Sequence, residues 1–243
     1  MKKEQIIQKI VAHRGMSGDF PENTEVAFAA AKSAGLKWIE TDVSMLKDET
    51  LVIYHDKTQG RTTSGNESLN ALTWPDFEDL DAGVWRGDGF KGQKVLRLED
   101  CLSWVIANDM RVILEMKIYD KRQRTAAQAI WSRLAKIPKK YFVLSSFDLD
   151  FLGHCRAMGY SGRLASIHSN LPSNIDRVIN RLSLTAIHID HRSLSSESEI
   201  TLIKRSGSKV LAWTVNDSKR AIELFRMRVD MLISDFPEQL SQS

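Results

Sequence analysis

Val11-Ala12-His13-Arg14-Gly15, Pro21-Glu22-Asn23-Thr24, Ile39-Glu40-Thr41-Asp42-Val43 and Tyr54-His55-Asp56 set the pattern of the chain. Each group sits at or just past an apolar, β-branched run of the kind that forms a buried strand. Buried charge is costly unless it is paired or bound to a metal. Two imidazoles, a guanidinium and alternating carboxylates at strand ends therefore make sense as parts of one site. Successive strand residues point to opposite faces, which puts Glu40 and Asp42 on the same face. Two neighbouring carboxylates repel, and a hard divalent cation between them removes that cost. Taken alone, the pair also suits a solvated edge strand.

Outward from this stretch the chain alternates. Strands are expected at 10–13, 38–43, 111–117, 142–146, 163–166, 186–189, 209–215 and 231–234, with a short extra strand at 51–54. Between them lie helical patterns, the first capped by Thr24 and ended by Gly35, then 98–108, 124–136, 149–158, 173–181, 198–205, 218–227 and a short one after Pro237. Strands alternating with helices imply a parallel sheet, and eight such repeats in 243 residues favour one closed (β/α)8 TIM barrel spanning 1–243. An open doubly wound sheet is the alternative, but no Gly-x-Gly-x-x-Gly supports it. The irregular segment 57–96 carries Trp74, Phe77, Trp85 and Phe90 and reads as a small insertion after the second strand, capping one end of the barrel.

Composition narrows the function class. A net charge of +3 is too weak and dispersed for nucleic-acid binding, though it favours an anionic small molecule. No apolar run is long enough to span a membrane. Gln8 and Lys9 interrupt any signal-peptide core, so a cytoplasmic location is expected. Cys101 and Cys155 form no Cys-x-x-Cys pair and read as reduced core thiols.

In a barrel the active site lies at the C-terminal ends of the strands. His13, Arg14, Glu40, Asp42, Glu115, Lys117, His188, Trp213 and Asp235 all fall at or just past such ends. Glu115 and Lys117 repeat the alternation of Glu40 and Asp42, so Glu40, Asp42 and Glu115 form a candidate site for Mg²⁺ or Ca²⁺. Histidines, an arginine and a lysine beside such a cation suit phosphate chemistry: cations hold phosphoryl oxygens, and the imidazoles move protons. Either histidine alone fits a structural role equally well. His154, His168, Trp38, Trp104 and Trp131 fit packing better. His188 and Asp190 share a face, and a supporting or substrate-contact role is open to them.

The ordered set His13-Arg14-Gly15, Pro21-Glu22-Asn23-Thr24, Ile39-Glu40-x-Asp42-Val43, Lys47-Asp48, His55-Asp56, Arg61-Thr62-Thr63, Asp81-Ala82-Gly83-x-Trp85, Glu115-x-Lys117, Trp213-Thr214-Val215-Asn216 and Ser234-Asp235-x-Pro237 resembles the glycerophosphodiester phosphodiesterase family over the whole chain. The resemblance implies a (β/α)8 barrel of lipid and glycerol metabolism. It implies hydrolysis of glycerophosphocholine or glycerophosphoethanolamine to sn-glycerol 3-phosphate and an alcohol, with one divalent cation, Mg²⁺ or Ca²⁺. By resemblance, Glu40, Asp42 and Glu115 hold the metal, and His13 and His55 are the acid-base pair. Arg14 and Lys117 contact phosphate, Trp213 packs against glycerol or the mouth, and Glu22 and Asn23 support the site. Residues 57–96 correspond to the insertion that shapes the family's substrate pocket. Three departures bear on pocket shape: Glu49 replaces a usual glycine, Leu96-Arg97 stands where a proline usually precedes the helix near Leu98, and 16–20 is bulkier than usual. The alternatives are a lysophospholipase D-type activity and a non-catalytic barrel binding phosphorylated ligands.

Overall fold

The structure, a computed structural model, describes residues 3–241; Met1 and Lys2, at the head of the segment read for a signal peptide, lie outside them. Helix α1 (Lys3–Ile7) precedes β1 (Ile10–His13), α2 (Glu25–Ser33), β2 (Trp38–Met45) and β3 (Leu51–Ile53). After the insertion come α3 (Leu98–Ala107), β4 (Arg111–Met116), α4 (Gln123–Leu134), β5 (Phe142–Ser146), α5 (Leu149–Ala157), β6 (Leu164–His168) and α6 (Ile175–Leu182). The chain ends with β7 (Ala186–Asp190), α7 (Glu197–Arg205), β8 (Lys209–Trp213), α8 (Ser218–Arg226), β9 (Met231–Ser234) and α9 (Pro237–Ser241). The sheet order is β1-β9-β8-β7-β6-β5-β4-β2, and β1 also pairs with β2, so the parallel strands close into a (β/α)8 barrel. Strand β3 lies outside the barrel, antiparallel on the end of β2.

Barrel strands are buried on both faces, which is why they read as nearly continuous apolar runs. Val11, Ile113, Val143, Ala165, Ala186, Leu211 and Ile233 fill the interior; the alternate set, including Val112, Leu144, Ile187 and Val210, packs outward on the helices. Truncating a fully buried outer-layer ring such as Phe28 or Phe142 to Ala would cost about 3–5 kcal/mol. Trp104 meets Phe28 at a tilt and Trp131 meets Tyr160 edge-on, both within the packing layer, as expected.

Local differences have local causes. β2 runs two residues past its expected end because β3 pairs with Val43, Ser44 and Met45. Thr24 occupies the N-cap of α2, but its hydroxyl donates to Pro21 O at 2.6 Å and caps no helical N–H. Glu49 takes the left-handed conformation (φ 64°) natural to the glycine it replaces, so the turn is kept. Without the proline, the start of α3 is tied by the Asp100 carboxylate, which accepts the Arg97 N–H.

The segment 57–96 holds four single-turn 3-10 helices. It has its own small core, in which Leu69, Phe77, Ala82 and Val95 pack on Leu46, Val52 and Tyr54. It sits on the outer flank of β2 and β3 and reaches the barrel rim through Phe20–Phe90, Arg86–Gly18 and Arg61. Among the described residues, no helix is long and apolar enough to cross a membrane. Cys101 and Cys155 are buried free thiols; burial raises both to about 12.

Candidate active site

Strand register assembles the site. His13 pairs with Glu40 across β1 and β2, and Asp42 pairs with Glu115 across β2 and β4. His55 follows β3, and Lys117 follows β4. A cavity of about 210 Å³ at this mouth is lined by His13, Arg14, Glu40, His55, Glu115 and Lys117 on one side and by Ser145, Phe147, Ile167, His188, Trp213, Thr214 and Ile233 on the other. No residue of 57–96 lines it; the insertion reaches the rim of the mouth through Arg61. Asp42, Glu22 and Asn23 also stand behind the lining rather than in it.

Oxygens of Glu40, Asp42 and Glu115 lie within 4.8 Å of one another. Burial and the nearby Asp42 charge push the Glu40 carboxyl up to about 8. Burial also raises Glu115, against the pull of Lys117, which is hydrogen-bonded to it. Asp42 is held well below the carboxylate range, despite burial, by Arg14 (Nε 3.1 Å from Oδ2) and Lys117 (Nζ 3.0 Å from Oδ1). Glu40 Oε1 is buried with no hydrogen-bond partner. Asp42 Oδ1 also lacks a hydrogen bond, since Lys117 approaches it as an ion pair out of line. An orphaned buried carboxylate oxygen inside an all-oxygen cluster is the donor set that a hard divalent cation takes.

Each imidazole is fixed through Nδ1. His13 Nδ1 is 2.6 Å from Asp235 Oδ1, and His55 Nδ1 is 2.7 Å from Asp56 Oδ1. Burial alone would depress His13, but Asp235 and the Glu40 charge outweigh it and leave the group raised. His55 is lowered by burial and by Arg14 and Lys117, which together exceed the opposing Asp42 and Asp56. Arg14 adopts φ 54°, which turns its N–H onto Glu40 Oε2 at 3.2 Å. Its Nη1 donates to Glu22 at 2.7 Å. Asn23, at φ 60°, donates to Asp42 Oδ2 at 2.9 Å and accepts from the Thr41 hydroxyl at 2.7 Å. Two non-glycine residues in the left-handed region beside one site are the kind of local strain that surrounding structure must hold in place.

His13, Arg14, Glu22, Asn23, Glu40, Asp42, His55, Glu115, Lys117 and Trp213 thus fall in one constellation. Trp213 lines the cavity with its indole N–H buried and unpartnered, and Phe147 meets the ring edge-on at 5.6 Å. His188 is buried with Nε2 unpartnered, and burial pushes it down to about 3. Asp190, two residues on along β7, is tied to Arg192 and does not line the cavity. Sequence reasoning gave no role to Asp56, Asp235 or Arg61. All three stood in motifs, but their partners come from distant segments.

A model of the glycerophosphoryl diester phosphodiesterase family matches residues 13–239. The chain is 30% identical over 235 residues to the uncharacterized protein YqiK of Bacillus subtilis, covering 96% of this chain and 97% of that one. It is 28% identical over 236 residues to a glycerophosphodiester phosphodiesterase of Caldanaerobacter subterraneus subsp. tengcongensis, covering 95% of each. Its fold is similar to that of an Oleispira antarctica phosphodiesterase solved with the product sn-glycerol-3-phosphate, with a TM-score of 0.91, 27% identity, and 100% and 98% of the two chains covered.

Proposed function

The chain belongs to the glycerophosphoryl diester phosphodiesterase family, a family of hydrolases, and from that premise we propose that it cleaves glycerophosphodiesters such as glycerophosphocholine or glycerophosphoethanolamine to sn-glycerol 3-phosphate and an alcohol. The observation that carries this reading is the shared cavity, where both imidazoles, Arg14, Lys117, Glu40 and Glu115 face one space. The product bound to the Oleispira antarctica phosphodiesterase supports the same substrate class.

In this reading Glu40, Asp42 and Glu115 hold one divalent cation, Mg²⁺ or Ca²⁺, and the unpartnered Glu40 Oε1 supports that role. The cation, when bound, supplies positive charge against the phosphoryl oxygens. Arg14 and Lys117 grip the same phosphate, each already oriented by a carboxylate. His13 keeps its proton on the strength of Asp235 and Glu40 and delivers it from Nε2 to the leaving alcohol oxygen. His55, held by Asp56 and lowered, has Nε2 free to take the proton of the attacking oxygen. Two like groups pushed to opposite sides of their ordinary value divide acid and base work in this way. Trp213 and Phe147 offer apolar faces to the glycerol carbons.

The test is release of sn-glycerol 3-phosphate from glycerophosphocholine, with and without chelator. Release that chelator abolishes and Mg²⁺ or Ca²⁺ restores is expected. Chelator-resistant release would remove the metal site. No release from glycerophosphodiesters by folded, cation-loaded protein would remove the substrate class.

A further inference from the structure

Arg61 opens the insertion and lines neither the mouth cavity nor the carboxylate cluster. It nevertheless joins the two halves of the site. Nη1 and Nη2 donate to Glu22 Oε2 and Oε1 at 2.6 and 2.8 Å. Nε and Nη2 donate to Asp56 Oδ2 and Oδ1 at 2.6 and 3.1 Å. Glu22 Oε1 also accepts from Arg14 Nη1 at 2.7 Å, and Asp56 Oδ1 lies 2.7 Å from His55 Nδ1. One guanidinium therefore holds two carboxylates in paired contacts, and each carboxylate holds one cavity-lining group.

We propose that Arg61 is a positioning residue that sets the His55 imidazole and the Arg14 guanidinium as a single rigid body. The inference rests on the phosphodiesterase reading of the mouth and adds a residue that never touches the reacting atoms. Its geometry is specific to arginine. A planar guanidinium can meet two carboxylates edge-on at once, whereas an ammonium is a single point of charge.

The contrast with the other imidazole gives the arrangement its purpose. Asp235, behind His13, is completed by neutral donors, the Ser17 hydroxyl at 2.9 Å and the Asn216 amide at 2.7 Å, so its full charge bears on His13. Asp56, behind His55, shares its charge with Arg61. A carboxylate matched by a guanidinium orients an imidazole without demanding that it be protonated. Without Arg61, Asp56 keeps only the His55 contact, and Glu22, 10% exposed, keeps only the Arg14 contact.

The experiment compares wild type with Arg61→Ala and Arg61→Lys by kcat, KM, thermal melting and ¹⁵N spectra of the histidine rings. Arg61 is 44% exposed, so both variants are expected to fold with melting close to wild type. The Ala variant should lose roughly 10- to 100-fold in kcat, the scale on which small misplacements act, and KM should rise through Arg14. Lysine should not restore the loss, and guanidinium ion added to the Ala variant, well below denaturing concentrations, should recover part of it. The wild-type spectrum should show His55 with its proton on Nδ1, and the Ala variant should lose that preference. Unchanged kcat or an unchanged His55 ring spectrum in Arg61→Ala overturns the proposal. If wild type releases no sn-glycerol 3-phosphate, the substrate reading fails, while the ring spectra still decide the part played by Arg61.

Discussion

The Nδ1 atom of His13 lies 2.6 Å from Oδ1 of Asp235, a carboxylate 222 positions further along the chain. Closure of the barrel makes the contact, because β1 lies between β2 and β9. Asp235 is brought down to about 2 by the His13 contact and by Asn216 and Ser17, which together override its burial, so it stays ionised at any working pH.

Asp235→Asn should lower kcat by about 10- to 100-fold with little change in KM, since it removes the group that orients His13 and favours its protonated form. The sign for pH is fixed by the direction of the shift. His13 is raised by Asp235, so losing that charge moves the alkaline limb of the kcat–pH profile toward lower pH. An unmoved limb would detach Asp235 from the proton-holding role.

The carboxylate cluster gives a stability prediction for protein stripped of divalent cations. Glu40 is raised from 4.5 to about 8, so between those values the folded state binds more protons than the unfolded one, and stability falls as pH rises. Glu115 and His13 are also raised and act in the same direction. Thermal melts in chelator should therefore drop from pH 6.5 to pH 8, and added Mg²⁺ or Ca²⁺ should restore more at pH 8 than at pH 6.5. Glu40→Gln should flatten the drop and abolish cation binding in calorimetry.

His188 has the opposite sign. It is lowered from 6.5 to about 3, so the unfolded chain takes up a proton that the folded chain refuses, and stability falls as pH drops below 6.5. The slope from one such group is about 1.4 kcal/mol per pH unit. With cation present to keep the carboxylates ionised, His188→Asn should show a shallower acid-side loss than wild type in urea titrations at pH 6.5 and pH 5. Parallel loss in the two proteins would mean that His188 is not buried neutral.

Glu49, exposed at φ 64° in the turn before β3, should be improved by glycine. Left-handed backbone costs a side-chain-bearing residue roughly 1 kcal/mol, so Glu49→Gly should raise stability by up to about that amount and leave kcat unchanged. A fall in melting temperature would show that the glutamate contributes something that its backbone angle conceals.

Much of this molecule was legible in the sequence because buried parallel strands carry two signals at once. Their apolar runs mark the strands, and a polar residue surviving at the end of such a run marks the mouth. His13, Glu40, Asp42, Glu115 and Lys117 could be found that way, and the motif order tied them to the family. What stayed hidden was pairing. Nothing near Asp235 in sequence says that it meets His13, and nothing near Arg61 says that it spans Glu22 and Asp56. Those contacts depend on how far round the barrel each loop is carried. The insertion was legible as irregular, but its place on the flank follows from Leu69, Phe77 and Val95 burying against Val52 and Tyr54, a choice between faces that no periodicity encodes.

The seam where β1 meets β9 also gives this protein a clock. A ribosome makes Asp235 222 residues after His13, and at 5–20 residues per second the interval is roughly 10–45 s. During that interval the first imidazole has no carboxylate behind it, and the barrel is an open sheet. A chain that stops between β8 and β9 carries His13, Glu40, His55, Glu115 and Lys117 and still lacks Asp235 and the strand that closes the barrel. The proposed site is thus completed only when the closing strand has been made, and a product cut short between β8 and β9 is expected to be inactive.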